Sequence, residues 1–193
     1  MNTDSLNAED CRLLLRIARE AIECAVNGRE LPKLHLSTLP QNLQDQGASF
    51  VTLTMNGNLR GCIGTLQASQ PLALDVQEHA VAAALEDYRF RPVQPQEVAG
   101  LLIEISHLSP SQDLEYLSPK DLLSKLRPGV DGVVLRRGFQ RATFLPQVWE
   151  NIQDPSDFLT QLCYKMGVPG DLWSKEHLQV QIYQVQEFKE GEQ

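Results

Sequence analysis

The sequence has no Cys-x-x-Cys pair: its four cysteines, Cys11, Cys24, Cys62 and Cys163, are far apart. That spacing gives no support to a disulfide framework, a structural zinc site or an iron–sulfur cradle. The histidines His35, His79, His107 and His177 form no spaced pair either, so no metal site and no cofactor are expected. Positive charge is scarce as well. Seventeen Lys and Arg face 25 Asp and Glu, for a net charge of −8, which disfavours a general grip on nucleic-acid phosphates. Arg136, Arg137 and Arg141 gather around one predicted turn and read as a solvated hairpin tip. No apolar run is long enough to span a bilayer, and Met1-Asn2-Thr3-Asp4 is polar and acidic, unlike a signal peptide. No membrane association is expected, and a reducing cytosol is the expected location.

What is present suits a globular fold. At 193 residues, 42% hydrophobic and 22% charged, the chain can bury one substantial core, with or without a small appendage. Cys11, Leu14, Leu15, Ala18, Ile22 and Ala25 recur at helical spacing, with Asn7 as N-cap and Gly28 as stop. Residues 29–47 read as a long connection, with Pro32, Pro40 and Gly47 breaking any period. Phe50 to Met55 is rich in β-formers, and Asn56-Gly57 is a strong hairpin signal, so Leu59 to Leu66 reads as the returning strand. A helix follows from Pro71, with Leu72, Val76, His79, Ala80 and Ala83 on its inner stripe. His79 on that stripe reads as a hydrogen-bonded core histidine. Leu101 to Leu108 is a strand, Ser118 to Leu126 a short helix, and Val133 to Leu145 a second hairpin. Asp154-Pro155 caps a helix that Gly167 ends, and Leu178 to Ile182 is a last strand. Hairpins favour antiparallel pairing, so the predicted class is α+β, not a doubly wound parallel sheet.

The octapeptide Leu59-Arg60-Gly61-Cys62-Ile63-Gly64-Thr65-Leu66 holds the strongest chemical signal. Strand alternation would put Arg60, Cys62 and Gly64 on one face. Two glycines around a cysteine allow a close approach to the backbone, and a neighbouring guanidinium favours the thiolate. The competing reading is a small buried cysteine in a tightly packed strand. Gly61 and Gly64 fit neither the P-loop nor the dinucleotide fingerprint, and no Ser-His-Asp order or nucleophile elbow is present. Asp87 and Arg89, just past a helix end, could either lock the turn or present a fork to an anion.

Three segments together carry a family resemblance: Val51 through Leu66; Ala83 through Asp87-Tyr88-Arg89-Phe90-Arg91-Pro92; and Thr143-Phe144-Leu145-Pro146-Gln147-Val148-Trp149-Glu150. In this order they resemble the AMMECR domain family, whose bacterial and archaeal members are called AmmeMemoRadiSam system protein A. The resemblance runs from about residue 8 to residue 188 as one domain in which two lobes are possible, with 1–7 and 189–193 as tails. It implies an α+β fold, mainly an antiparallel sheet flanked by helices with a smaller lobe. It also implies partnership with a Memo-like protein and a radical S-adenosylmethionine protein, and it brings no settled activity. By matching position the motif residues are Arg60, Gly61, Cys62, Gly64 and Thr65, then Asp87, Arg89 and Phe90, then Pro146, Gln147 and Trp149, with Lys165 and Gly167 matching a family Lys-x-Gly. His107 departs from the family pattern, where an aliphatic residue is common, and this weakens any Cys-His dyad.

Two functions are therefore weighed. In one, the chain is an accessory binding module whose groove at the Arg-Gly-Cys-Ile-Gly-Thr strand, with Gly61, Gly64, Thr65, Asp87, Arg89, Gln147 and Lys165, docks a partner or small ligand. In the other, Cys62 is a thiolate nucleophile activated by Arg60, with backbone N–H groups near Gly61 and Gly64 stabilising developing charge.

Overall fold

A computed structural model describes residues 5–191. The N-terminal residues 1–4 and the last two residues of the expected C-terminal tail lie outside that range. In chain order the elements are α1 (Ala8–Val26), α2 (Gln41–Gln44), β1 (Gln46–Met55), β2 (Asn58–Gly64), β3 (Gln70–Pro71), α3 (Leu72–Leu85) and β4 (Leu101–Leu108). Then follow β5 (Gln112–Asp113), α4 (Pro119–Lys125), β6 (Gly132–Arg137), β7 (Gln140–Phe144), α5 (Pro155–Met166), α6 (Leu172–Lys175), β8 (Gln179–Tyr183) and β9 (Val185–Lys189). Strand β1 pairs antiparallel with β2, β3 and β4, as does β8 with β5 and β6, and β6 with β7, and the fold is α+β. The elements form two compact units: one runs to Ser109 and regains the chain from Gln186, and the other spans Pro110–Val185.

The first unit is a sheet of order β2-β1-β4-β9, with β3 pairing the start of β1. Its helices follow from local signals. Asn7 caps α1 by accepting from the Glu9 and Asp10 N–H groups, and Asp10 returns the bond to Asn7 N–H. Leu14, Ala18, Ile22 and the inner face of α3 then bury against Val51, Leu53, Ile103 and Ile105 of the sheet. Leu6, expected in the tail, is buried in this cluster. Asn56 and Gly57 take positive φ of 53° and 77°, as a tight β1–β2 hairpin requires. The returning strand ends at Gly64, two residues earlier than the sequence suggests.

The second unit is a sheet of order β5-β8-β6-β7. Asp154 caps α5 by accepting from the Ser156 and Asp157 N–H groups, Pro155 opens it, and Gly167 closes it at φ 79°. Helix α5 buries Phe158, Leu159, Leu162 and Cys163 with Val133, Leu135 and Val180. Trp149 plugs this core. It is stacked on Phe158 at 3.7 Å between ring centroids, and its indole N–H donates to the Asp131 carbonyl at 2.7 Å. No helix among the described residues is long and apolar enough to cross a membrane, and no group of three or more His, Cys, Asp or Glu among them could hold a metal ion.

Candidate functional site

Strand β2 is an edge of the first sheet, and its register contains the main departure from the sequence pattern. Leu53 pairs with Gly61 but Thr54 pairs with Leu59, so Arg60 is the extra residue of a bulge. A bulge re-aims its side chain, and strict alternation between Arg60 and Cys62 therefore fails. The Arg60 fork is taken up elsewhere: Nε and Nη2 donate to the two Glu97 carboxylate oxygens at 2.9 and 3.0 Å, and Nη1 donates to the Arg91 carbonyl at 2.8 Å. Hydrogen bonds from Arg60 and from the Gln94 N–H lower the Glu97 carboxyl to about 2.

Gly61 faces α3. A Cβ there would lie 2.1 Å from the Ala83 carbonyl oxygen, so only glycine lets helix and strand approach this closely. Cys62 consequently points to the other face, opposite Thr52. The Thr52 hydroxyl lies 3.3 Å from the half-buried Cys62 sulfur and donates to it. Gly64 sits against β1, where a Cβ would meet the Ser49 carbonyl oxygen at 2.3 Å and Phe50 at 2.4 Å. Thr65 ends the pairing: its N–H donates to the Ser49 carbonyl, and its hydroxyl accepts from the Gln67 N–H.

Because Thr65 pairs with Ser49, the backbone groups of Cys62 turn outward from the sheet edge. Asp87 and Arg89 take them. The Cys62 N–H donates to Asp87 Oδ2 at 2.9 Å, and Arg89 Nη2 donates to the Cys62 carbonyl at 3.2 Å. Arg89 also grips Asp87 through Nε at 2.9 Å and Nη2 at 2.6 Å. The pair thus occupies the edge as a neighbouring strand would. Those bonds from Arg89 outweigh burial and hold the Asp87 carboxyl well below the usual carboxylate range. Asp87 is 5% exposed, whereas the adjoining Tyr88 is 95% exposed. The ion pair that would lock the turn is present, and the Arg89 side chain is 46% exposed.

Gln147 and Lys165 belong to the second unit. Lys165 Nζ donates to the Thr143 carbonyl at 2.9 Å and lies 5.0 Å from the Phe144 ring centroid, and partial burial lowers its pKa. Gln147 Oε1 is buried with no hydrogen-bond partner among the described residues. Tyr183, unremarked in the sequence, donates to the Phe144 carbonyl at 3.1 Å, and burial pushes its phenol up to about 12. His79 bonds Asp75 at 3.2 Å within the first unit, as a core histidine would.

The sequence matches the AMMECR1 family over residues 15–188. The chain belongs to that family. A protein of Methanothermobacter thermautotrophicus is 40% identical over 186 residues, covering 96% of each chain. One of Methanocaldococcus jannaschii is 34% identical over 190 residues, covering 97% of this chain and 93% of its own. The crystal structure of an uncharacterized Pyrococcus horikoshii protein superposes with a TM-score of 0.86 at 32% identity, covering 96% of this chain and 94% of that one. Glu97 and Tyr88 are neighbours of the candidate residues that the sequence does not single out. Glu97 lies 37 residues from Arg60, and no local pattern links them.

Proposed function

We propose that this AMMECR1-family chain is an accessory binding component, docking a protein partner on β2 and the Asp87–Phe90 turn. One observation carries this reading. Tyr88 stands 95% exposed on a turn whose next residues, Asp87 and Arg89, are bonded to each other and to the Cys62 backbone. A large side chain held out by a rigid turn loses little entropy on binding, and Tyr and Arg are frequent interface anchors. The partners that fit the family resemblance are a Memo-like protein and a radical S-adenosylmethionine protein. Gly61, Gly64 and Thr65 shape the strand that carries the surface.

Titrating each of those two proteins, taken from the same cell, against this chain tests the proposal. Tyr88→Ala weakens the association about tenfold or more, while Cys62→Ala leaves it unchanged. No saturable association with either protein, or an unaffected Tyr88→Ala, overturns the proposal.

A second reading rests on the Thr52 contact. That contact supplies a hydrogen-bond donor at Sγ on a half-buried cysteine, so Cys62 could act as a nucleophile without Arg60 beside it. The Thr52 hydroxyl is no base at neutral pH, however, and a base would have to come from substrate or partner. The alkylation rate of Cys62 against pH, with Cys11, Cys24 and Cys163 as internal controls, decides it. Rapid labelling well below the free-thiol pKa of about 8.5 supports a nucleophile, and protection until unfolding removes it.

A further inference from the structure

Helix α1 carries a feature that the β2 surface does not use. Arg12, Arg16 and Arg19 line one wall of a groove of about 590 Å³, Lys189 and Glu190 line the other, and Leu15 contributes to its lining. The volume is that of a small-molecule site. On a chain of net charge −8, four cations around one groove are a local reversal of sign.

The arginines divide into two kinds. Arg19 is structural: it pairs with Glu190 and donates to the carbonyls of Val98 and Leu101, both at 2.8 Å. Glu190 is correspondingly spent, since it also accepts from the Ile103 N–H at 3.1 Å. Arg12 and Arg16 are exposed, and neither forms an ion pair with a described residue. They stand four residues apart on one helix face, where like charges repel. Glu9 also lines the groove and pairs with neither. An anion between the two forks would relieve that repulsion and could be gripped bidentately by each.

We infer that this groove binds a phosphate monoester of a compact apolar alcohol. Arg12 and Arg16 take the dianionic phosphoryl group, which carries close to two charges at neutral pH, and Lys189 faces it from the opposite wall. Leu15, half-buried at the margin of the core, receives the apolar body. Arg19 holds the walls in register. The site is independent of the β2 surface, and failure of either proposal leaves the other standing.

Phenyl phosphate, inorganic phosphate and phenol, titrated separately into the whole chain at low salt, provide the test. Phenyl phosphate is expected to saturate and to bind about tenfold or more tighter than either half alone. The double variant Arg12→Gln/Arg16→Gln is expected to lose about tenfold or more of that affinity. Glutamine keeps nearly the helix propensity of arginine, and an unchanged thermal midpoint confirms that the fold survives. Phosphatidic acid vesicles separate the two sources of such a group. Vesicle binding competed by phenyl phosphate assigns the site to a lipid headgroup, and phenyl phosphate binding without vesicle binding assigns it to a soluble ester. No saturation below about 10 mM, or equal binding by the double variant, overturns the inference.

Discussion

Each unit of the molecule contains a buried aspartate gripped by a half-exposed arginine, and the two pairs do different work. In the first unit Asp87 and Arg89 meet at 2.6 Å with the carboxylate 2% exposed, and in the second Asp131 and Arg127 meet at 2.6 Å with the carboxylate fully buried. Asp131 closes a local turn: it accepts from the Arg127 N–H at 2.9 Å and from the same guanidinium. Asp87 reaches 25 residues back to the Cys62 N–H. Each unit also has a close-packed glycine. Gly132 follows Asp131 directly, whereas Gly61 precedes the Cys62 that Asp87 binds. One unit uses its acid and glycine to start a strand, and the other uses them to fix an edge strand against a helix and a turn. The same chemistry is structural in one place and shapes a candidate docking surface in the other.

The largest expected effect separates the two acids. Asp87→Ala deprives Arg89 and the Cys62 N–H of a partner at once and should destabilise the chain by about 3 kcal/mol. Asp131→Ala also leaves a guanidinium and a backbone N–H, that of Arg127, without their partner, but in a turn whose residues 127–130 are exposed to water, and should cost about 2 kcal/mol. Chemical denaturation gives both totals. Hydrogen exchange locates them: Asp87→Ala should accelerate the Cys62 amide, and Asp131→Ala only amides around residues 127–133. Equal acceleration at Cys62 in both variants would erase the distinction.

The glycines sharpen it further. Gly61→Ala would press a methyl against a backbone carbonyl of α3 at 2.1 Å, which cannot move without the helix. Gly132→Ala would meet the Tyr183 ring at 2.4 Å, a side chain held by its own hydroxyl bonds. We expect about 3 kcal/mol for the first and about 2 kcal/mol for the second. A thermal unfolding series ranks them, and a costlier Gly132→Ala would mean that Tyr183 is the more rigid wall.

Much of this architecture is legible in the sequence where a local signal exists. Asn7, Asn56-Gly57, Asp154-Pro155 and Gly167 each set a boundary that the structure keeps, because capping and positive φ are decided by neighbouring residues. Short or half-exposed strands escape: β3 and β5 have two residues each, and β9 reads Val-Gln-Glu-Phe-Lys without a buried face. The bulge at Arg60 escapes because alternation presumes an unbroken ladder. The partners of the site residues escape for a different reason. Glu97 for Arg60 and Asp87 for the Cys62 N–H are brought in by tertiary packing, and no spacing announces them. The octapeptide singles out one strand, but only the fold assigns its arginine to Glu97 and its cysteine to Thr52.

The two units should also fail at opposite ends of the pH scale. In the first, Asp87 and Glu97 ionise more readily folded than unfolded, because arginines bond their carboxylates. Their contribution is full above the ordinary carboxylate pKa of about 4 and is lost as pH falls towards about 2. In the second, Tyr183 is held neutral by burial, with its phenol pushed up to about 12. Between about pH 10 and that value the unfolded chain has released the tyrosine proton and the folded chain has not, so stability falls as pH rises. Both tryptophans, Trp149 and Trp173, lie in the second unit, so their fluorescence follows that unit alone. Tyr183→Phe should flatten the alkaline limb seen by tryptophan. Glu97→Gln should flatten the acid limb seen by hydrogen exchange at Arg60 and Gln94, by less than Asp87→Asn flattens it at Cys62. Coincident limbs at both ends, untouched by either unit's variants, would mean that the units unfold as one cooperative body and that the acids and the tyrosine do not govern where it fails.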